Sequence, residues 1–455
     1  MIEDNAVKDV FPTGPIDRFV APIQRFLKVE TTSGVVLIAV TIISLLWANL
    51  SNSTYTAVWE TPFDISFAGW SLSSCLSHTP NLHWLVNDAL MTIFFFSVGL
   101  EVKGEMVHGE LHDIKAASLP ILAALGGMIF PAIIYSILTP PEASHGWGIP
   151  MATDIAFVVG CMALLGSKIP HGLRVMILTL AIADDIGSII VVALGYSGNI
   201  NWFALGLAFA LLALTWLSFR TGIRNLFIHG VLAVLIWFAF VQSGVHAALA
   251  GVALGLLTPV APWVDRSKLD NLIVRVGAFI NSEKRLDKNI RCEIYNTLQK
   301  SSREGISLQD RLNDELHPWV SYVIMPLFAL ANAGVLLHLD SFNGVTSSVA
   351  IGLIVGKPIG VFVFSLIAVK CGISRLPTGV TWKVLLGGGM LAGIGFTMSL
   401  FVAGLAFADP AHEMFLASSK IGILLGSILS AIIGTLFISF AGVKKTEGLE
   451  KTESL

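Results

Sequence analysis

Apolar runs of about twenty residues recur from Thr31 to Ala441, and twenty residues is the length of helix that crosses ~30 Å of hydrocarbon. Inside lipid no water completes the backbone hydrogen bonds, so each run has to close them internally as a helix. The chain therefore reads as an all-α integral membrane protein. Twelve transmembrane helices are expected, at 31–50, 82–102, 116–138, 145–166, 172–196, 201–219, 225–242, 244–260, 317–338, 347–369, 384–407 and 413–440. Composition agrees: 54% of residues are hydrophobic and 13% charged, too few charges to clothe a soluble surface of this size. The first run starts only near Thr31 and lacks a small-residue cleavage site, so it reads as a span and not as a removed signal.

The basic residues orient the spans. With the N-terminus in the cytoplasm, all but two of the 28 Lys and Arg fall on the cytoplasmic side or at its boundary. Loops near 51–81, 139–144, 197–200, 339–346 and 408–412 carry none. This is the positive-inside pattern, and it places both termini, including the tail 443–455, in the cytoplasm. The exceptions are Lys357 and Lys420. Lys420 lies within two turns of the outer end, where a long side chain can snorkel to the interface.

Three flanking pieces are readable. Residues 16–30 gather Phe19, Ile23, Phe26 and Leu27 on one helical face, which suits either an interfacial amphipathic helix or an ordinary leader into the first span. Within the outside loop 51–81, "FDISFAGWSL" alternates about Ala68-Gly69 and is expected to form a β-hairpin. A lone hairpin is marginal, so it should pair with something, such as its copy in a second subunit. The inside loop 264–315 is a polar insert of mixed charge, compatible with a helical piece or with disorder.

The chemistry lies in the few ionisable residues inside the spans. Asp184 and Asp185 sit mid-span in "LTLAIADDIGSIIVVALGY", in a stretch from Val175 to Phe219 with no other charged side chain. Each charge at that depth costs about 2.5–3.5 kcal/mol on insertion scales, too much for helix glue. Two adjacent carboxylates cannot both stay ionised cheaply in a low dielectric, so the pair holds a proton until a hard cation takes its place. A site that takes H⁺ or a metal ion, never both fully, is the minimal chemistry of an exchanger.

Other groups surround that pair. Asp154 follows Thr153 and Pro150 in "WGIPMATDIAF": either a helix broken at mid-membrane whose freed carbonyls line a cavity, or a proline kink with a capping acid. Lys357, mid-span before Pro358, is the counter-charge. It pairs with a buried aspartate, compensates the ends of broken helices, or has a structural role alone. Asp88 lies two turns deep in the second span and lines an access path or bonds a neighbour. His246 is a packing residue or a proton-linked one. Glu101 and Glu105 share a face at the inner end of the second span, with His108 and His112 nearby, as solvated helix-end charge or as part of an entry. Six glycines between Gly387 and Gly404 mark span 11 as easily broken. Spans 3–5 begin inside and spans 10–12 outside, and the middle members, 4 and 11, are the interrupted ones. That is the sequence sign of an inverted-repeat transporter with its site at the midplane.

Six stretches, "ATDIAF", "AIADDIGSIIVVAL", "SGVHAALAG", "VGKPIG", "GIGFTMSLF" and "VNDALMTIFFFSVGLEVK", together resemble the NhaA-type sodium/proton antiporters. The likeness runs over about residues 16–442 apart from the inserted part of 264–310. These antiporters are themselves a type case of the inverted repeat, so that inference is not independent of the likeness. The resemblance implies a single antiporter domain over 1–455 with helices 4 and 11 broken and crossing, and a homodimer through residues 51–81. It implies electrogenic, pH-regulated exchange of cytoplasmic Na⁺ or Li⁺ for external H⁺ by alternating access, serving sodium extrusion and pH homeostasis in a bacterial inner membrane. By matching motif, Asp184 and Asp185 would carry cation and proton. Thr153, Asp154 and Lys357 would balance helix dipoles, and Glu101, Glu105 and His246 would shape cytoplasmic entry and the pH response. The segment before "LHPWVSY" is longer than the family pattern, and Arg311, Asp314 and Glu315 match nothing singly.

Competing classes fare worse. A solute symporter needs a pocket for an organic substrate, and no midplane Arg or aromatic cluster offers one. An intramembrane aspartyl protease needs Tyr-Asp and Gly-x-Gly-Asp contexts, and neither occurs. A channel is disfavoured by a single buried acid pair, which suits saturable binding. No enzyme activity, cofactor or nucleic-acid partner is expected. Cys75, Cys161, Cys292 and Cys371 show no paired spacing, and no basic cluster is interleaved with aromatics.

Overall fold

The computed structural model describes residues 30–441, apart from parts of 65–78, positions 110, 197, 199 and 224, most of 264–287, and 338–341. It is helical almost throughout. The helices are α1 (Glu30–Leu50), α2 (Asn52–Trp59), α3 (Leu82–Val107), α4 (Ile114–Leu138), α5 (Ile155–Leu165), α6 (His171–Gly195), α7 (Trp202–Arg220), α8 (Leu226–Ser243) and α9 (Ala248–Leu257). They continue as α10 (Lys288–Gly305), α11 (Leu308–Trp319), α12 (Met325–Asn332), α13 (Gly344–Lys370), α14 (Trp382–Ala392), α15 (Phe396–Ala406) and α16 (Glu413–Ala441). A 3₁₀ segment, Pro141–Met151, leads to α5. Among the described residues eight helices are long and apolar enough to cross a membrane. The 3₁₀ segment with α5 and α14 with α15 form two further apolar pairs, bent by 50° and 48° at short breaks.

Apolar side chains face outward as well as inward. Leu50, Leu164, Leu194, Phe203 and Phe440 are each more than 80% exposed. In water such a surface would be a liability; against hydrocarbon it costs nothing. With no hydrophobic drive between helices, close packing has to come from small residues. Helix α9 lies along α3, and a Cβ on Gly255 would come within 2.7 Å of the Phe96 carbonyl oxygen, while one on Gly99 would come within 2.8 Å of the Val252 oxygen. The backbones touch there because both positions lack a side chain. Helix α13 lies along α4, and Gly126 and Gly360 allow the same approach.

Several expected boundaries shift. The apolar run at 244–260 yields a helix of only ten residues, Ala248–Leu257, ~15 Å long and half the hydrocarbon thickness. Gly244, with φ of 78°, turns the chain after α8, and Thr258-Pro259 ends α9. The run at 317–338 belongs to a helix that starts earlier. Ser307 caps α11, accepting from the Asp310 amide at 3.0 Å, and α11 passes through a π turn at Val320–Ile324 into α12, which stops at Asn332. The insert 264–315 therefore does not end at 315, because its last residues already belong to α11. It also contains α10. In the 51–81 loop, Ser66–Phe67 pairs antiparallel with Trp70–Ser71. Asp64 binds the far arm through Ser73, accepting from its amide at 3.0 Å and its hydroxyl at 2.7 Å. The amphipathic stretch 16–30 (except Glu30) and the tail 443–455 lie outside the described residues.

Candidate functional site

The two breaks lie against each other. Proline has no N–H to donate, so Pro150 weakens the ladder ahead of the first break. Ala152 and Asp154 adopt extended backbone there. Gly393-Ile394-Gly395 makes the second break, between α14 and α15. The Asp154 amide donates to the Ile394 carbonyl at 2.7 Å, and the Thr153 hydroxyl donates to the Ala392 carbonyl at 3.0 Å. Ser399 on α15 returns a bond to the Ile149 carbonyl at 2.8 Å. Backbone groups that a continuous helix would have paired internally are thus paired across the breaks.

Asp154 caps both halves. Its Oδ1 accepts from the Phe157 amide at 3.2 Å, as an N-cap of α5. Its Oδ2 accepts from the Thr397 amide at 3.0 Å and from the Thr397 hydroxyl, at the start of α15. One carboxylate therefore sits at the positive ends of two helices, where negative charge is stabilised. The capping acid that the sequence offers is present, at a 50° bend between the 3₁₀ segment and α5.

Lys357 is fully buried, just after the π turn Gly352–Gly356 in α13. Its Nζ lies 2.7 Å from Asp184 Oδ2 and donates to the Met151 carbonyl, at the end of the 3₁₀ segment. It pairs with the aspartate and satisfies the carbonyl at the end of the 3₁₀ segment at once. The Thr153 hydroxyl also lies 2.6 Å from Asp184 Oδ2, its single proton shared between that oxygen and the Ala392 carbonyl. Asp184 is thereby tied to α13 and to the first break.

Asp185, one residue on, is different. Both aspartates are buried and each leaves its Oδ1 without a hydrogen-bond partner among the described residues, but of the two only Asp185 lines a cavity of about 600 Å³. Thr153, Asp154 and Thr397 line the same cavity, and Glu101, Glu105 and Gln309 line it too. A buried carboxylate oxygen without a donor is costly to keep charged, so this position calls for a proton or a cation.

Glu101 and Glu105 therefore join Asp185 on one cavity, while His246 and Asp88 do not line it. His246 Nε2 lies 3.8 Å from Asp88 Oδ1, its Nδ1 accepts from the Ala248 amide at 3.3 Å, and its ring stands edge-on to Phe401 at 5.2 Å. Thirteen residues of α3, ~20 Å of helix, separate Asp88 from Glu101, so His246 belongs to the other half of the molecule. Sequence reading did not single out Thr397, the Met151 carbonyl or Gln309. Thr397 stood within "GIGFTMSLF", beside the glycines of the break, and that proximity was the available signal.

Compared with known proteins, residues 24–438 match the family model Na+/H+ antiporter 1. The chain belongs to that family. It is 45% identical to "Na(+)/H(+) antiporter NhaA" of Rhodopirellula baltica over 93% of this chain and 94% of that protein. It is 43% identical to the antiporter of that name from Rhizobium meliloti, over 94% and 96%. With "Na(+)/H(+) antiporter NhaA 2" of Vibrio vulnificus it shares 40%, over 96% of each. These relatives are named antiporters, not enzymes, and the apolar helices make this family member a multi-pass membrane protein.

Proposed function

We propose that this protein exchanges cytoplasmic Na⁺ or Li⁺ for external H⁺ by alternating access across a bacterial inner membrane. The observation that carries the reading is the asymmetry of the acid pair. Asp184 is held through Oδ2 by Lys357 and Thr153 and does not line the cavity, whereas Asp185 lines it with an Oδ1 that has no partner among the described residues. Asp185 takes a proton from one side and a cation from the other. Asp184 joins the cation when Lys357 lets go. Ligand oxygens must be deprotonated to bind metal, so cation binding and proton release are one event.

The two bent pairs serve as interrupted spans that cross at the midplane, and Thr153, Asp154 and Lys357 offset the partial charges of their ends. Counting each pair once, with the helices carrying α9 and α12, gives twelve spans, with 3–5 and 10–12 as inverted repeats. Both termini are cytoplasmic. Glu101 and Glu105 form the inner entry, and Asp88 with His246 lies on the outer path. Exchange is electrogenic and pH-regulated, serving sodium extrusion and pH homeostasis. The protein works in the lipid bilayer as a homodimer joined through residues 51–81, without a cofactor or organic substrate.

The test is a ΔpH-sensitive dye in everted vesicles carrying this chain. Na⁺ or Li⁺ is expected to dissipate the gradient, K⁺ is not, and Asp185→Asn is expected to abolish the response. A mutant that exchanged normally would remove Asp185 from the site.

A further inference from the structure

Gln309 is 4% exposed and lines the cavity. Its Nε2 donates to the Leu100 carbonyl oxygen at 3.0 Å. A Cβ on Gly104 would lie 2.7 Å from that nitrogen, so α3 has a gap where the amide enters. Because the NH₂ is committed to a carbonyl, the other terminal atom must be the oxygen. That Oε1 is buried and has no partner among the described residues. An uncompensated buried acceptor is costly, and such a group at a cavity wall is relieved by a donor or a positive species.

What surrounds it agrees. Gln309 and Asn313 lie four residues apart on α11, Glu101 and Glu105 four apart on α3, so each pair shares a helix face. All four line the cavity, and α11 packs on α3. Asn313 Oδ1 is likewise buried without a partner among the described residues. Asp310 is engaged within its own helix: its Oδ2 accepts from the Ser307 hydroxyl at 2.6 Å. The Ser307 cap fixes where α11 starts, and hence the face on which the two amides stand.

We propose a second alkali-cation site on the cavity wall, in which the amide oxygens of Gln309 and Asn313 join the carboxylates of Glu101 and Glu105. Carbonyl and carboxylate oxygens replace water around a hard cation. The site receives the ion before Asp185 does, so it sets the apparent affinity and leaves the turnover to the deeper pair. This inference rests on the exchange reading above.

Exchange kinetics of the full-length protein in proteoliposomes separate liganding from packing, because Gln309→Leu and Gln309→Glu both delete the donor to Leu100, whereas only Glu keeps an oxygen toward the cavity. Gln309→Leu is expected to raise the KM for Na⁺ about three- to tenfold with Vmax within about twofold, as for loss of one ligand, and Gln309→Glu to hold KM at or below the wild-type value. In Asp185→Asn protein, weak equilibrium binding of ²²Na⁺ should persist and disappear when Gln309→Leu is added. Equal effects of Leu and Glu on KM, no effect of either, or residual binding indifferent to Gln309 would each overturn the proposal. Exchange surviving in Asp185→Asn alone would instead overturn the deep-site reading.

Discussion

At the scale of single residues, the arrangement turns on which charges are compensated. Lys357 and Asp184 are both fully buried and 2.7 Å apart. Removing one partner strands the other, at about 3–5 kcal/mol. Lys357→Met should therefore lower the melting temperature of the detergent-solubilised protein, and adding Asp184→Asn should restore part of the loss. Strictly additive effects in that double-mutant cycle would mean the two side chains are not coupled. The same logic gives a pH dependence for transport. If H⁺ and Na⁺ compete for Asp185, the KM for Na⁺ must rise as pH falls while the rate at saturating Na⁺ holds. A KM independent of pH, with only the maximal rate changing, would speak for a proton carrier elsewhere.

At the scale of elements, the breaks and the glycine contacts position these residues. Gly255→Ala would press a methyl group onto the Phe96 carbonyl and the Gly99 backbone. Overpacking of backbone on backbone costs ~1–3 kcal/mol, so a thermal-shift measurement should show a clear fall; an unchanged midpoint would mean that α3 and α9 are not packed so closely. Much of this level was legible. The helix ends around α1, α4, α6 and α16 follow the apolar runs to within two residues, since in lipid hydropathy alone decides what is buried. The aspartates and Lys357 announced themselves as charges in apolar surroundings. The bonding did not: Thr397 lies 243 positions from Asp154 and Gln309 lies 209 from Leu100, and no local pattern reveals such pairs. The early start of α11 was hidden because its first turns are polar and capped, so hydropathy misses them. Likeness of motif groups His246 with Glu101, and only the fold sets His246 against Asp88, at the other end of α3.

Across the whole molecule, the distribution of basic residues and the two bent pairs fit the proposed topology, with both termini cytoplasmic. The proposed topology predicts that single cysteines near Lys168 and Arg375 react with an impermeant maleimide only in everted vesicles, and those near Glu142 and Asp409 only in right-side-out cells. Labelling in the opposite sense would invert the transport direction assigned above. In the proposed mechanism one carboxylate hosts either the proton or the cation. Adding Na⁺ to the purified, weakly buffered protein and recording proton release with a pH dye probes that exchange without transport. Release should saturate with Na⁺ and be absent in Asp185→Asn; release of the same size from that variant would rule Asp185 out as the shared host.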